Sequence, residues 1–427
     1  MRPSSGPRKV PGKIYVVGAG LAGLSAAVTL AERGIAVELI EASTQAGGRC
    51  RSYVDPVLDM TIDNGNHLVL SGNKATFGYL RAIGAEDRLV GPAEAVFAFR
   101  YVQHGLGWTL RPNAGPLAWW VFDRTRRVPG SRAVDYLALG ALLTSRGERR
   151  IDEVIACTGP LWERLLEPFL LAALNTDPKT ASARLAGAVI GESLARGGRA
   201  YRPRIASPNL SEAFIDPALA FLARQGARIH LGRRLREITF GRDGVTSLHL
   251  SDGDQPLADG DAVILATPAW ITGGLIPELT VPERFGAIVN AHFRVVPPAD
   301  AAPIVGVIGG SAQWIFTFAD RLSVTVSGAD HMVDTDRETL AVAFWRDIAA
   351  VHGLGADIPP WQIVKERRAT FAATPEQDAR RPAAATGRRN LFLAGDWTQT
   401  GLPATIEGAI RSGNKAAALA LKAVRDV

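Results

Sequence analysis

The stretch Ile14-Tyr-Val-Val-Gly-Ala-Gly-Leu-Ala-Gly23 decides the fold of this 427-residue chain. Its first four residues, Ile14–Val17, are apolar and mostly β-branched, as in a strand buried on both faces of a parallel sheet. The alanine-rich segment Leu24–Arg33 follows with helical character, and Gly34 ends it. A second apolar run, Ile35–Ile40, predicts another strand. The order predicts a β-α-β unit with two parallel strands.

The three glycines of this unit, Gly18, Gly20 and Gly23, have the spacing of a dinucleotide-binding turn. The first permits a tight turn, the second lets the backbone approach a pyrophosphate, and the third lets helix and strand pack closely. Glu41, at the end of the second strand, would bind a ribose diol and repel a 2′-phosphate. This pattern favours FAD or NAD over NADP. The alternative is an ordinary strand–turn–helix with incidental glycines, which the complete unit disfavours.

Two segments outside this unit carry further groups that suit a flavin dinucleotide. Gly47-Gly48-Arg49 can fold over the nucleotide and direct a guanidinium at the pyrophosphate, although alone it would be a surface turn. Asp396 follows a strand predicted at Asn390–Ala394 and can bind a ribityl hydroxyl or simply cap a helix. The helix predicted at Ala404–Val424 would direct its N-terminal N–H groups at the negative charge of a reduced flavin. A simple NAD enzyme has no need of this distant segment, so the combination favours FAD.

The rest of the chain predicts a second lobe inserted into the nucleotide domain. From about 76 to 200 the pattern is mainly helical and includes the apolar segment Leu161–Leu174 and the aromatic stretch Leu117–Phe122. Strand-like alternation returns after residue 201. We predict a discontinuous FAD-binding domain formed by residues 13–75, 201–275 and 386–427. The inserted substrate-binding lobe is predicted at 76–200 and 276–385, and a flexible tail at 1–12.

Composition excludes several classes of protein. With 47% hydrophobic and 21% charged residues, the chain is not intrinsically disordered. Its net charge of +6 comes mostly from scattered arginines, which argues against a nucleic-acid partner and leaves a weak attraction to anionic membrane surfaces open. Two cysteines, Cys50 and Cys157, cannot form a disulfide framework. Neither a signal peptide nor a membrane-spanning run is evident, so we expect a cytoplasmic protein.

These motifs together resemble the FAD-dependent amine oxidase and phytoene desaturase superfamily. The resemblance runs over the chain from about residue 13 and rests on Gly18–Gly23, Glu41, Gly47-Gly48-Arg49, Asp63-x-Gly65 and Gly395-Asp396. Two stretches, Asp63-Asn-Gly-Asn-His-Leu-Val-Leu70 and Ala394–Ala409, are more narrowly similar to the hydroxysqualene dehydroxylases, also described as squalene-associated FAD-dependent desaturases of bacterial hopanoid biosynthesis. The implied fold is α/β, with a Rossmann-like FAD-binding domain of the GR2 type and an inserted mixed α+β substrate-binding domain.

The resemblance also implies where a non-covalent FAD binds. It places the adenosine end at the glycine turn and Glu41, with the backbone of Leu235 against the adenine. The segment around His67 would lie near the flavin face, Asp396 near the ribityl chain, and the Thr405-Ile406-Glu407 backbone near the pyrimidine ring. The cofactor-binding residues so predicted are Gly18, Gly20, Gly23, Glu41, Gly48, Arg49, Gly65, Asn66, His67, Leu235, Gly395, Asp396 and Ile406.

The implied reaction replaces an allylic hydroxyl of hydroxysqualene by hydrogen, which yields squalene. It requires an acid that helps the hydroxyl leave as water, and a hydride donor, for which reduced FAD is suited. His67 is the predicted proton donor because imidazole titrates near neutral pH, unless only its backbone matters. Glu407 is the second candidate, with helix capping as its alternative role. The other histidines show no ligand spacing, so no metal site is predicted.

The implied substrate, a C30 isoprenoid, dissolves in lipid rather than in water. We therefore expect a long apolar tunnel, peripheral contact with the inner membrane face, and an electron donor that the sequence does not identify. Leu161–Leu174 and Leu117–Phe122 are candidates for tunnel walls, for a membrane-facing mouth, or for plain core.

Three other functions stay open at this point. A carotenoid- or phytoene-type desaturase or isomerase would run the hydride the other way, and a non-catalytic FAD- or isoprenoid-binding component would not turn over at all. An amine oxidase is disfavoured because Trp397 is the only aromatic residue in Gly395–Ala409, where a pair would cage the amine.

Overall fold

The structure, a computed structural model, describes residues 12–425, so the predicted tail lies outside the described residues except for its last residue. The strands are β1 (Ile14–Val17), β2 (Val37–Ile40), β3 (Ser52–Asp55), β4 (Met60–Asp63), β5 (Val69–Leu70), β6 (Leu89–Val90), β7 (Phe97–Tyr101), β8 (Leu106–Leu110), β9 (Pro203–Ala206), β10 (Arg228–His230), β11 (Leu235–Phe240), β12 (Val245–Leu250), β13 (Gly253–Pro256), β14 (Ala262–Leu265), β15 (Phe285–Arg294), β16 (Ile304–Ile308), β17 (Trp314–Thr317), β18 (Arg321–Ser327), β19 (Trp361–Phe371) and β20 (Leu391–Leu393). The α-helices are α1 (Leu21–Ala31), α2 (Lys74–Ile83), α3 (Leu137–Thr144), α4 (Glu167–Leu174), α5 (Ala183–Glu192), α6 (Asp216–Arg224), α7 (Ala269–Leu275), α8 (Arg337–His352), α9 (Pro375–Ala379) and α10 (Ile406–Arg425). No helix within residues 12–425 is both long enough and apolar enough to cross a lipid bilayer.

A parallel five-stranded sheet carries the N-terminal motif. Its order is β10-β2-β1-β14-β20, and every neighbouring pair is parallel. All residues of β1, β2 and β14 are buried, as expected for strands covered on both faces. Helices α1 and α10 pack against each other and against strands of this sheet. The strands come from three separated parts of the chain, near residues 14–40, 228–265 and 391–393.

A seven-stranded sheet forms the second large layer. Its order is β19-β15-β18-β17-β16-β7-β8, and β16–β7 is its only parallel pair. Strands β7 and β8 lie in a region that the sequence pattern predicts to be mainly helical, so that prediction is wrong for these residues. The reason is a short period-two pattern, in which Phe97 and Phe99 are buried and the residues between and after them are not, set among longer helical segments.

The segment Leu161–Leu174, predicted as one helix, contains a π-helical turn followed by an α-helix. Trp162–Leu166 forms a π-helical turn, and α4 continues from it with Pro168 at its start. Because proline has no backbone N–H, it interrupts the α-helical hydrogen-bond ladder, and a wider turn accommodates it. Leu165, Leu166, Leu170 and Leu174 are buried in the largest hydrophobic core, which favours the core interpretation of this segment.

Helix α10 touches α1 at Gly413. A Cβ atom at Gly413 would overlap Ser25 Oγ and the Ala22 carbonyl oxygen, both on α1. One helical turn further along α1, Thr29 Oγ1 donates a hydrogen bond of 2.9 Å to Asn414 Oδ1. This close approach holds the helix that begins at the glycine turn against the C-terminal helix.

We expect Gly413→Ala to lower the free energy of unfolding by about 2–3 kcal/mol, because the added methyl group must separate two backbones. Gly78→Ala is the matched control, since Gly78 is an exposed residue of α2 whose Cβ would meet no atom within 4 Å. The control should unfold like the unmodified protein or be more stable by up to about 1 kcal/mol. Urea denaturation followed by circular dichroism measures both, and equal stability of the two variants would contradict the helix contact.

Candidate functional site

The glycine turn between β1 and α1 is packed on one side and open on the other. Gly18 has φ 109°, in the left-handed region that favours glycine. A Cβ at Gly23 would overlap the Gly18 carbonyl oxygen, whereas a Cβ at Gly20 would meet no protein atom within 4 Å. Gly20 is also the N-cap of α1, and no side chain caps that helix. The uncapped helix N-terminus and the open space above Gly20 fit the pyrophosphate of a dinucleotide.

Glu41 directly follows β2, and its carboxylate lies against the glycine turn. It accepts hydrogen bonds of 2.8 Å from the backbone N–H groups of Ala19 and Ser43. The backbone N–H of Arg233 donates to the Glu41 carbonyl oxygen, also at 2.8 Å, and β11 begins two residues later at Leu235. The structure thus places Glu41 and the start of β11 at the same edge of the parallel sheet as the glycine turn, where an adenosine would be bound.

The Gly47–Arg49 loop packs on the glycine turn, but its arginine is directed elsewhere. The backbone N–H of Gly47 donates to the Ala19 carbonyl oxygen at 2.8 Å. The Arg49 guanidinium pairs with Asp396, with distances of 2.7 and 2.8 Å from Nη2 to the two carboxylate oxygens, and it also contacts the Ala369 carbonyl oxygen. Two residues that were predicted to bind different parts of FAD therefore hold each other. Their ion pair joins the N-terminal and C-terminal parts of the site.

Hydrogen bonds from the buried Arg381 hold the loop that carries Asp396 in place. The sequence analysis did not identify Arg381. The Arg381 side chain is 1% exposed and pairs with Asp378 at 3.0 Å. It donates to the Asp396 carbonyl oxygen at 3.0 Å, to Thr400 Oγ1 at 2.8 Å, and to the Thr398 carbonyl oxygen. The sequence around Arg381 is charged and polar and resembles a surface turn, so no local signal could have identified it.

A polar cluster anchors the segment that carries Gly65 and His67. Asn66 Nδ2 donates to Thr325 Oγ1 at 3.0 Å, and that hydroxyl donates to Asn290 Oδ1 at 2.8 Å. A Cβ at Gly65 would lie 3.0 Å from Asn290 Nδ2, so the backbone approaches the seven-stranded sheet closely. Asn66 Oδ1 is buried and lacks a partner among the described residues. An unpaired buried acceptor is costly, and it leaves one hydrogen-bonding group available to a ligand.

His67 is half-buried in this segment, and its imidazole is held neutral. Burial, followed by the positive charge of Arg49, lowers the pKa of His67 to about 4. At pH 7 the side chain therefore carries no charge in this structure. An anion bound beside Arg49 would offset the arginine charge and raise the pKa of His67.

Glu407 is buried, and its carboxylate is occupied by structural hydrogen bonds. It accepts from the backbone N–H groups of Ala75 and Thr76, at 3.1 and 2.9 Å, and from Thr76 Oγ1 at 2.7 Å. Arg411, one turn along α10, adds a bond of 2.8 Å. Glu407 therefore caps the N-terminus of α2. These contacts support the capping alternative, and we carry no catalytic role for Glu407 into the mechanism.

The last predicted cofactor residues lie where β20 meets α10. Gly395 follows β20, and its backbone N–H donates to Ser412 Oγ of α10 at 2.8 Å. Ile406 is the first residue of α10, and the preceding Thr405 caps the helix by accepting from the Gly408 N–H at 3.0 Å. This arrangement puts a helix N-terminus next to the loop of Asp396, on the chain that continues from it. Sequence reasoning identified this segment but not its partners in α2 and at Arg381.

A buried histidine supports the same region from beneath. His292 of β15 is fully buried, and its Nε2 lies 3.0 Å from the Asp63 carbonyl oxygen and its Nδ1 2.8 Å from Ser323 Oγ. A carbonyl oxygen can only accept, so Nε2 carries the hydrogen and Nδ1 accepts from the serine. Burial, aided by the positive charge of Arg321, lowers the pKa of His292 to about 3. The neutral imidazole thus ties β15 to the start of the Asp63–Leu70 segment.

This shift predicts a loss of stability in acid. An unfolded histidine takes up a proton near pH 6.5, but folded His292 does not until about pH 3, so stability falls as the pH drops below 6.5. By pH 4 we expect a loss of about 3 kcal/mol from this residue. His292→Gln should show a shallower acid dependence in urea titrations at several pH values. His331→Gln, at an exposed position, is the control and should keep the original slope.

Comparisons with known proteins show which family the chain is similar to. A family model described as "Flavin containing amine oxidoreductase" matches residues 21–421. Hydroxysqualene dehydroxylases of Sinorhizobium fredii and Rhodopseudomonas palustris are 49% and 50% identical to the chain, over 96% of its length and 99% of theirs. A probable zeta-carotene desaturase of Synechococcus elongatus is 23% identical over 96% of the chain and 99% of its own length. A solved oxidoreductase structure from Methanosarcina mazei has a TM-score of 0.70 at 16% identity, covering 94% of this chain and 98% of that one.

Proposed function

Because the chain belongs to the flavin-containing amine oxidoreductase family and, within it, to the hydroxysqualene dehydroxylases, we propose that it reduces hydroxysqualene to squalene. The observation that carries this proposal is identity of about half of all residues over nearly the full length of both chains. The predicted family, the α/β fold class and the FAD cofactor are confirmed. The carotenoid desaturase alternative is supported only by distant relatives, which are desaturases 22–24% identical to the chain.

We propose the following assignment of residues to the cofactor. The open side of the turn at Gly20 and the N-terminus of α1 hold the pyrophosphate, Glu41 binds the ribose, and the backbone of Leu235 faces the adenine. Arg49 and Asp396 bind as a pair along the phosphate and ribityl portion. The support for this assignment is the open space above Gly20 and the convergence of the other groups on the same end of the parallel sheet. Bound FAD in its reduced form supplies the hydride.

The chain itself has to place the substrate hydroxyl and help it leave. We propose that His67 hydrogen-bonds this hydroxyl and delivers its proton, while Asn66 positions the His67 backbone through Thr325. In the structure the imidazole is neutral, so proton delivery requires that bound anionic groups near Arg49 raise its pKa. The buried residues of the surrounding core would exclude water from the cationic reaction centre.

This role of His67 has a measurable pH dependence. If its proton is delivered, the rate falls as the pH rises above the pKa of His67, because the protonated fraction declines. We expect His67→Gln, which keeps a hydrogen-bonding side chain, to be slower by at least about tenfold and to lose that dependence. Nuclear magnetic resonance titration of the imidazole, with and without FAD, gives the pKa independently of activity. A variant with the rate of the unmodified enzyme would leave only the backbone of His67 in the site.

The decisive experiment for the proposed function is anaerobic. The purified protein is reduced with dithionite, hydroxysqualene is added in detergent, and the extract is analysed by mass spectrometry. Squalene that forms while the flavin is reoxidised would establish the reaction. Phytoene, offered to the oxidised protein, is the control substrate: desaturation of phytoene and no conversion of hydroxysqualene would replace our proposal by the carotenoid one.

We also propose that the enzyme takes its C30 substrate from a membrane surface and receives electrons from a separate donor. The substrate class comes from the relatives' names, and its low solubility in water requires a lipid phase as its source. The flavin must be reduced again after each turnover, and a soluble redox partner or reduced nicotinamide could do so. Stopped-flow reduction of the flavin by NADH and NADPH would decide whether a nicotinamide suffices.

A further inference from the structure

Large apolar side chains are exposed together on one part of the inserted lobe. Leu117, Trp119 and Phe122 are 64–67% exposed, and Val134 and Leu137 are 55% and 71% exposed. Isolated exposed apolar residues are common, but a group of this size usually marks an interaction surface. We call these five residues the apolar face.

The apolar face is held in shape by aromatic residues beneath it. Trp120, which is buried next to the exposed Trp119, packs edge-to-face on Tyr136 with ring centroids 5.2 Å apart. This contact joins the turn that carries Trp119 and Phe122 to the turn that carries Val134. The rings of Trp119 and Phe122 lie 6.2 Å apart. The exposure of Leu117, Trp119 and Phe122 favours the membrane-facing interpretation of this stretch over the tunnel-wall and core interpretations.

Arginines flank the residues of the apolar face along the chain. Residues 111–146 contain six arginines, two aspartates and no lysine or glutamate. Asp135 is paired with Arg132 at 3.1 Å, and Asp123 accepts hydrogen bonds from Thr125, so both carboxylates are engaged locally. Aromatic and leucine side chains bordered by arginines are the composition of segments that lie in the head-group region of anionic bilayers. Guanidinium groups bind phosphates in a forked geometry, which lipid head groups offer at high density.

The apolar face is also linked to the candidate active site. The backbone N–H groups of Gly198 and Arg199 donate to the carbonyl oxygens of Asn113 and Ala114, in the loop that leads into the apolar face. On its other side, the same 198–200 turn accepts the N–H of Gly72 at 2.8 Å. Gly72 lies two residues after the segment that ends at Leu70 and contains His67. Two layers of backbone hydrogen bonds thus separate the apolar face from the flavin-side segment.

We propose that the apolar face inserts into the surface of an anionic lipid bilayer, with the arginines that flank it in sequence on the phosphate head groups. The enzyme would then be oriented with its inserted lobe toward the source of its lipid-dissolved substrate. This use of the surface rests on the proposed function, but the docking itself does not, because the charges and the exposed side chains are properties of the chain alone.

The test is vesicle flotation of the purified flavin-bound protein. One vesicle type contains phosphatidylcholine and phosphatidylglycerol in equal parts, and the other contains phosphatidylcholine only. The first variant changes Leu117, Trp119 and Phe122 to serine, and the second carries Arg124→Glu and Arg146→Glu. The matched controls are Val296→Ser, at another highly exposed apolar residue, and the pair Arg33→Glu and Arg242→Glu, at exposed arginines outside the apolar face.

The unmodified protein should float with the anionic vesicles and much less with the neutral ones. The variant of the apolar face and the variant of its flanking arginines should each bind anionic vesicles at least about tenfold more weakly, while the controls bind like the unmodified protein. High salt should weaken the binding of the unmodified protein. Equal flotation of all variants, or no flotation of the unmodified protein with anionic vesicles, would overturn the proposal. The second result would point to a protein partner for the apolar face.

A turnover assay separates this proposal from the proposed function. Both variants should convert hydroxysqualene in detergent at the normal rate, because none of the changed residues contacts the cofactor site, and should lose conversion when the substrate is supplied in anionic vesicles. Normal flotation combined with no squalene formation in detergent would refute the proposed function and leave the docking in place. Loss of conversion by the variants in detergent as well would contradict a pure docking role.

Discussion

Replacing Arg381 by methionine should destabilise the protein by about 3–5 kcal/mol and deprive it of flavin. The guanidinium is buried, pairs with Asp378, and fastens three successive parts of the loop that starts at Asp396. It also stacks on Phe371 at 4.7 Å, so methionine would retain part of the packing but none of the hydrogen bonds. Removing one partner of a buried network leaves the others unsatisfied, and that loss is the expected cause.

The neighbouring residue provides the control. Arg380 pairs with Glu283 at 2.7 Å and donates to the Val281 carbonyl oxygen at 3.0 Å, but its side chain is 34% exposed, so Arg380→Met should cost only about 1 kcal/mol. Arg381→Lys keeps the charge without the fork and should fall between the two. Thermal unfolding and the flavin-to-protein absorbance ratio measure the two expected effects. An Arg381→Met protein with normal stability and full flavin content would show that the loop holds its shape without the arginine.

Gly20→Ala should leave the fold intact while weakening FAD binding roughly a hundredfold. The added methyl group meets no protein atom within 4 Å, so nothing inside the chain opposes it. It would project from the N-cap of α1 into the space we assign to the pyrophosphate, where close approach of the backbone is needed. Affinity would be measured by titrating the apoprotein with FAD and following flavin fluorescence.

Two further glycine variants serve as controls for this prediction. Gly355→Ala changes an exposed loop glycine whose Cβ also meets nothing within 4 Å, and it should alter neither stability nor FAD affinity. Gly23→Ala should impair folding itself, since its Cβ overlaps the Gly18 carbonyl oxygen. If Gly20→Ala bound FAD as tightly as Gly355→Ala, the cofactor would have to lie elsewhere than over this turn.

Local patterns predicted the parts of the fold that depend on neighbouring residues. Strand β1 was predicted with its observed bounds, and β11 and β12 lie in the region after residue 201 where strand-like alternation was predicted. Apolar runs bounded by glycine carry that information within a few residues. Strands β7 and β8 were missed because five-residue alternation is weak evidence amid helical segments. Their place in the sheet depends on β16, about two hundred residues further along.

For the candidate site, the sequence identified individual residues better than it identified the side chains and backbone groups that bind them. Arg49 and Asp396 were each assigned to the cofactor, but no pattern shows that side chains 347 positions apart form an ion pair. Glu407 carries a carboxylate at a helix start, which suits catalysis and capping equally until Ala75 and Thr76 are seen beside it. Asn290 and Thr325 were missed altogether because they act through one hydrogen-bond network that three distant segments share. Such information resides in tertiary packing alone.

The pairing of Arg49 with Asp396 and the contact of α1 with α10 have a consequence for biosynthesis. The glycine turn is translated well before the residues that close the proposed site around it, from Asp378 to Gly413. Until then the early β-α-β unit lacks β20 at the edge of its sheet and α10 on its first helix. We therefore expect flavin to be retained only after the segment up to Gly413 has been made and folded onto the glycine turn.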